Sequence, residues 1–360
     1  MVDFYINLFS SIEFIKSYQS SIFIVSVVLA GIPIFGFMAV NALVAVYVER
    51  KVSAFMQDRL GPMGHGVGLH AGKWGVLQTL ADAIKLLTKE DIIPDSADKK
   101  LFLLAPCIIF IGSFVAFAGF PFNEFLVAAD FNLGLFYILA MSSVGVIGII
   151  LAGYSSNNKW SLYGSMRSAA QIVSYEIPAA LSLLPVVMLS GSLAFKDIVF
   201  AQTGSTLGIL PNWFIFNNPF MVVAFWLFFI AGVAEVNRTP FDLPEAESEL
   251  VAGWMTEYSG MRWAFFFLAE YANMFIVAGV ATIGFLGGWL SPIPGYFDGN
   301  IWGVFWLVSK TSFLIFVMMW FRWTFPRLRT DQLMRMCWKF FLPGSFFVII
   351  GVGLWDLIMR

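Results

Sequence analysis

The stretch Ala234–Met255, AEVNRTPFDLPEAESELVAGWM, sets Glu235, Asp242, Glu245, Glu247 and Glu249 between two long apolar runs, and Glu257 follows just beyond it. The chain around it is 59% hydrophobic and only 12% charged. A carboxylate at bilayer depth is costly and marks function by default. The segment from about 235 to 261 therefore reads as an acidic cytoplasmic connection whose carboxylates handle protons in or beside a membrane.

Outward from this stretch, the composition settles the fold class. With 40 phenylalanines and a mean hydropathy of +0.81, the chain lies outside the range of soluble domains. Apolar runs of spanning length fall near 21–47, 101–120, 133–154, 171–191, 219–237, 262–286, 303–322 and 339–358. They predict an all-α polytopic membrane protein with about eight transmembrane helices, residues 1–360 forming a single membrane domain. Residues 1–20 read as a short lead-in, and the first run is too long for a cleaved signal peptide. The segments after helices one, three, five and seven hold 17 of the 21 lysines and arginines. The positive-inside rule places those segments in the cytoplasm and both termini outside.

Several chemistries are excluded. Two cysteines cannot hold an iron–sulfur cluster; Cys107 and Cys337 read as buried apolar residues without a disulfide. His65 and His70 sit in the glycine-rich loop GPMGHGVGLHAGKWG (61–75) and read as solvated loop residues, so no metal site is expected. Gly64, Gly66 and Gly68 lack the strand–turn–helix setting of a dinucleotide fingerprint. The net charge of −2 implies no nucleic-acid partner. Any electrons must come from a partner.

Four further stretches carry signal. Helix one ends in YVERKVSAFMQDRLGP, where Glu49, Arg50, Lys51, Asp58 and Arg59 read as interfacial anchors. Residues 74–91 place Val76, Leu77, Leu80, Ala83, Ile84 and Leu87 at helical spacing against a polar face, which predicts a cytoplasmic-side amphipathic surface helix. It could lie on the bilayer, support a partner or frame an opening for a lipophilic ligand. After a short polar turn, SSNNKWSLYGSMRSAAQ, helix four carries Glu176 beside Pro178. Glu176 reads as a buried functional group with serine and tyrosine neighbours, against the plainer reading of a side chain reaching back to the interface. In the acidic segment, Asp242 and Glu245 have capping-box spacing with Pro244 in the first turn. Glu245 and Glu249, four apart, repel one another, and Arg238 is placed to neutralise one acid. Helices six and seven contain Glu270 and Lys310, and the last cytoplasmic loop is basic.

These blocks together resemble the family of H-type membrane subunits of proton-pumping NADH–quinone oxidoreductases, respiratory complex I, whose mitochondrial counterpart is NADH dehydrogenase subunit 1. The resemblance rests on ERKVSAFMQDRLGP (49–62), LADAIKLLTKEDIIP (80–94), GYSSNNKWSLYGSMRSAAQIVSYEIP (153–178), AEVNRTPFDLPEAESELVAG (234–253), TEYSGMRWAFFFLAEYANM (256–274) and FRWTFPRLRTDQLM (321–334). It implies a subunit that joins a hydrophilic redox arm to the membrane arm and forms much of a quinone tunnel. By motif position, a proton path would include Glu176, Glu235, Asp242, Glu245, Glu247, Glu249, Glu257 and Glu270. Arg50, Gln57, Arg59 and Arg238 would line the quinone entrance or cavity. The chain itself would bind no cofactor. A quinone such as ubiquinone would be the substrate, with FMN and iron–sulfur clusters in partner subunits of the redox arm, and with small and antiporter-like membrane subunits and lipid as further partners. The expected location is the bacterial cytoplasmic (inner) membrane, termini on the periplasmic side. One departure is the loop 61–75, where the family has a shorter link of the type GPNRVGP. The rival readings are the homologous subunit of a proton-translocating hydrogenase or formate hydrogenlyase, a stand-alone cation/proton transporter, and a passive scaffold.

Overall fold

The computed structural model describes residues 19–62, 75–206, 210–244, 247–293, 296–297 and 299–359, with the side chains of 19–24, 205, 206, 210, 247 and 248 left aside. Residues 63–74 of the glycine-rich loop with both histidines, residues 1–18 of the lead-in and Glu245 lie outside the described residues, as does the side chain of Glu247.

The helices are α1 Gln19–Met56, α2 Gln78–Thr88, α3 Lys99–Ala118, α4 Gly134–Ser155, α5 Lys159–Ser190, α6 Phe195–Phe200, α7 Phe214–Asn217, α8 Pro219–Glu235, α9 Glu247–Leu250, α10 Gly260–Phe285, α11 Asn300–Thr324, α12 Thr330–Met336 and α13 Leu342–Met359. A two-residue ladder pairs β1 Ser205–Thr206 with β2 Leu210–Pro211, antiparallel. Among the described residues, seven helices are long and apolar enough to cross a membrane, and α8 is a shorter apolar helix. The fold class is the expected one, with α8 at the place of the fifth predicted span. The surface helix is α2, trimmed to its most regular part.

Local chemistry sets the helix ends. Asp98 caps α3 by accepting from the backbone N–H of Lys100 and Leu101, a standard N-terminal arrangement. Asn218 caps α8 through the N–H of Phe220, with Pro219 in the first turn. The far end of α10 is closed by Lys310 of α11. Its ammonium donates to the carbonyls of Leu286, Gly288 and Leu290 at 2.8, 3.0 and 2.7 Å and lies over the Trp213 ring. Cations suit the carbonyl end of a helix.

Two sequence readings are corrected. The polar turn after the third span is a few residues long, because α5 already begins at Lys159. Asn158 caps it by accepting from Trp160 N–H, and the serines Ser161, Ser165 and Ser168 are buried in the helix interface rather than solvated. Small hydroxyl residues let helices approach closely in a membrane protein, and here they disguise a helix as a loop. Cys107 is exposed, while Cys337 is buried and donates its thiol to the Ser174 carbonyl; neither is in a disulfide. Cys107 shares the outward stripe of α3 with Leu103 and Ile111, four residues to either side.

The core runs along α10, whose residues from Tyr271 to Phe285 are almost all buried. Phe275 packs with Phe37, Phe117 and Phe120 at ring separations of 5.0 to 5.8 Å. Near the acidic segment, α5 meets the 3-10 turn Gly253–Met255 so closely that a Cβ on Gly164 would lie 2.7 Å from the Gly253 Cα. Gly164→Val is expected to cost about 1–3 kcal/mol, as overpacking against backbone does. Gly36→Ala, where a Cβ meets nothing within 4 Å, should leave thermal unfolding of the detergent-solubilised protein unchanged.

Candidate functional site

Three spaces converge on the N-terminal half of α10. The first is an apolar slot of about 280 Å³ walled by α1, α2 and α10, with Phe35, Leu43, Leu86, Trp263 and Phe267 on its lining. The second is a more polar mouth of about 350 Å³, lined by Lys85, Lys89, Tyr258 and Ser259. Arg50, Asp82, Leu86 and Trp263 line both. Arg50 and Asp82 form an ion pair at that boundary. Burial pushes the Tyr258 phenol at the mouth up to about 12, so it stays a neutral hydrogen-bonding group. An apolar slot with a few convergent polar groups is what an amphipathic ligand requires.

Behind the slot is a buried charge cluster. Residues Ile34, Met38, Ala42, Ala45 and Glu49 form the buried stripe of α1. That spacing turns Glu49 inward while its neighbour Arg50 faces the slot. The Glu49 carboxylate accepts from Arg238 Nη1 at 3.0 and 3.1 Å, from Arg322 and from the Tyr271 hydroxyl. Arg238 Nε lies 2.8 Å from Glu270 Oε1. The guanidinium also stacks over the Tyr271 ring, 4.5 Å from its centroid. Burial opposes the charge of Arg238, but Glu270, Tyr271 and Glu49 more than offset this and hold it well above the usual arginine range. Two guanidiniums thus balance two carboxylates in a site where Arg238, Glu49 and Glu270 are 8, 10 and 17% exposed. Removing one partner of such a set strands a buried charge.

The third space is an internal cavity of about 70 Å³ lined by Glu235, Asn237, Glu270, Asn273 and apolar neighbours including Trp254. It is large enough for water and polar enough to hold it. The side-chain carbonyls of Asn237 and Asn273 are buried without a hydrogen-bond partner in the described structure. Beyond Glu235, the Ser142 hydroxyl and Glu176 are its neighbours, and Ser143 faces Glu176. Glu270 therefore belongs to both the cluster and the cavity.

Of the other predicted acids, Asp242 lies near Glu270, while Glu249 and Glu257 lie apart from the cluster. Asp242 is buried and accepts from Arg327 Nη2 at 3.3 Å. Glu249 pairs with Arg167 at 2.8 Å at the surface. Glu257 accepts from Asn158 Nδ2 at 2.6 Å. Of the predicted quinone-binding residues, Arg50 faces slot and mouth, and Arg238 sits in the charge cluster. Gln57 and Arg59 hydrogen-bond to one another at the exposed end of α1. The reading of Glu49 as an interfacial anchor is corrected by its burial. Glu49, Tyr271, Arg322 and Asn273 were not singled out as site residues. The signal for Glu49 was available, because α1 continues without a break through ERKVSAFM and keeps the small-residue stripe in line with it.

Glu49→Gln is expected to lower unfolding stability by about 3–5 kcal/mol, as loss of one partner in a buried ion pair does. Glu249→Gln, whose side chain is 58% exposed, should stay within about 1 kcal/mol. Thermal unfolding of the two variants side by side checks the contrast.

The sequence model of the family described as NADH dehydrogenase matches residues 26–353. The H subunit of NADH-quinone oxidoreductase from Chlorobaculum parvum is 52% identical, covering 91% of this chain and 92% of its own. The protein of the same name from Geobacillus sp. is 51% identical, covering 86% and 87%. That from Bacteroides thetaiotaomicron is 48% identical, covering 88% and 86%.

Proposed function

This chain belongs to the NADH dehydrogenase family, beside the H subunits of NADH-quinone oxidoreductases, and from that premise we propose that it forms the quinone tunnel of such an enzyme and couples quinone reduction to proton pumping. It is a multi-pass membrane subunit of the oxidoreductase complex. The observation that carries the proposal is continuity. Trp263, Phe267 and Tyr271 stand one above the other on α10, with ring separations of 4.9 and 4.8 Å. Trp263 and Phe267 line the slot, and the Tyr271 hydroxyl donates to Glu49. The charge cluster then shares Glu270 with the cavity that reaches Glu235.

The slot takes the quinone with its apolar tail along α1 and α2 and its ring at the polar mouth. Two electrons arrive from the iron–sulfur carriers of a partner subunit, whose own chain begins at FMN. Two protons complete the quinol. Arg50 and Asp82 at the mouth orient the headgroup. The change of charge that quinone reduction and its proton uptake bring to the slot shifts the balance among Glu49, Arg238 and Glu270, and a proton moves between Glu270 and Glu235 through water held by Asn237 and Asn273. Glu176 passes the change onward to the antiporter-like subunits. Asp242, Glu245, Glu247, Glu249 and Glu257 complete the acidic segment and tune its charge, and Gln57 and Arg59 flank the entrance. Each elementary charge moved against the potential costs about 2.3 kcal/mol per 100 mV, so the pathway must be tightly held. The lysine and arginine bias and the bacterial relatives support a cytoplasmic membrane with both termini periplasmic.

Two variants test this in the assembled complex. Ala264→Trp, filling the slot at a lining residue, should lower NADH:quinone activity by about tenfold or more and spare electron transfer from NADH to ferricyanide. Glu235→Gln should abolish proton pumping together with quinone reduction. An assembled Glu235→Gln enzyme that pumps normally would leave the passive-scaffold reading in its place.

A further inference from the structure

The surface helix α2 is a wall of the slot, yet Thr79 is the one residue of that helix that is buried. Its position depends on ties to its neighbours. One tie is Arg50–Asp82, already part of the mouth. The other lies in the strap that follows α2, residues 89–98, and it is made by groups without an assigned role. Arg262, in the first turn of α10, sends its Nη2 to Asp91 Oδ2 at 2.9 Å. Its guanidinium also lies over the Phe102 ring at 5.4 Å, and its Nη1 is buried without a hydrogen-bond partner in the described structure. The charge therefore leans on Asp91. Met261 and Trp263, to either side of Arg262, line the slot.

The same junction is stitched by shorter contacts. Ser259 Oγ accepts from Ile92 N–H and donates to the Glu90 carbonyl, both at 3.4 Å. Gly260 turns with φ +58°, a conformation that favours glycine, and a Cβ there would sit 3.1 Å from the Lys89 carbonyl. Tyr258 stacks on Phe102, the ring that Arg262 covers, at 4.0 Å and an interplanar angle of 4°. Ser259 and Gly260 line the mouth. The strap, the mouth and the start of the helix that carries Glu270 thus meet at one point.

We propose that Arg262 is a positioning residue for the quinone path: by holding Asp91 it pins the strap behind α2 to α10 and so sets the distance between two walls of the slot. This rests on the tunnel reading above. Arg262 touches no substrate in this account, so its loss weakens quinone binding and leaves the chemistry intact.

The test uses the whole NADH–quinone oxidoreductase in native membranes, assayed with a soluble short-chain ubiquinone and, in parallel, with ferricyanide. Arg262→Met and Asp91→Asn are each expected to raise the quinone KM about fivefold with kcat changed less than about twofold, and ferricyanide reduction unchanged. The double variant should match the single ones, since both remove the same pair. Arg262→Lys should recover most of the affinity. Where Arg262→Met lowers the amount of assembled enzyme, Asp91→Asn, a half-exposed position, carries the test. A quinone KM within twofold of the parent in Asp91→Asn, or additive effects in the double variant, overturns the proposal. Ala264→Trp separates the two levels. If it impairs quinone reduction while Asp91→Asn does not alter KM, the positioning role alone fails; if Ala264→Trp is silent, the tunnel reading fails.

Discussion

The ion cluster of Glu49, Arg238, Glu270 and the partly exposed Arg322 is the constraint around which the rest of the structure is arranged. Charges taken out of water are stable only when every one of them is answered. Here four chain segments supply the answers. Glu49 comes from α1, Arg238 from the turn after α8, Glu270 and Tyr271 from α10, and Arg322 from the end of α11. None of these segments can shift alone without stranding a charge. The cluster therefore fixes the relative positions of four elements at the level where slot and cavity approach one another.

That rigidity has a functional side. A balanced cluster is sensitive to any change of charge beside it, because little water is present to screen it. The aromatic column Trp263–Phe267–Tyr271 provides a dry wall between the slot and Glu49, while the Tyr271 hydroxyl is the polar end of that wall. On the far side, Glu270 looks into a cavity with room for water and unsatisfied amide carbonyls. Behind that aromatic wall, Glu49, Arg238 and Glu270 lead toward Glu235 as a short series of polar groups. The far end of α10 is held by Lys310 on three carbonyls.

The spans and the surface helix were legible because each is a property of neighbouring residues: runs of apolar side chains and helical spacing. Glu176, Glu235, Glu270 and Arg238 stood out for the same reason, being polar residues in or beside apolar runs. What was hidden depends on contacts between distant segments. Glu49 lies in a charged run that has the local appearance of an interfacial anchor, and only its pairing with residues 189 and 273 positions away turns it into a core group. The serines opening α5 look like loop residues until the 3-10 turn at Gly253 is packed on them. Glu249 and Glu257 show the converse. They belong to the acidic block by composition, but surface and half-buried partners satisfy them.

Redox-induced infrared difference spectroscopy on the assembled enzyme tests the central claim most directly, because it reads carboxyl protonation as quinone is reduced. The account expects a protonated-carboxyl band that appears or shifts on quinone reduction and is lost in Glu270→Gln. A difference spectrum with no carboxyl change, or one that Glu270→Gln leaves untouched in enzyme still reducing quinone, would contradict it.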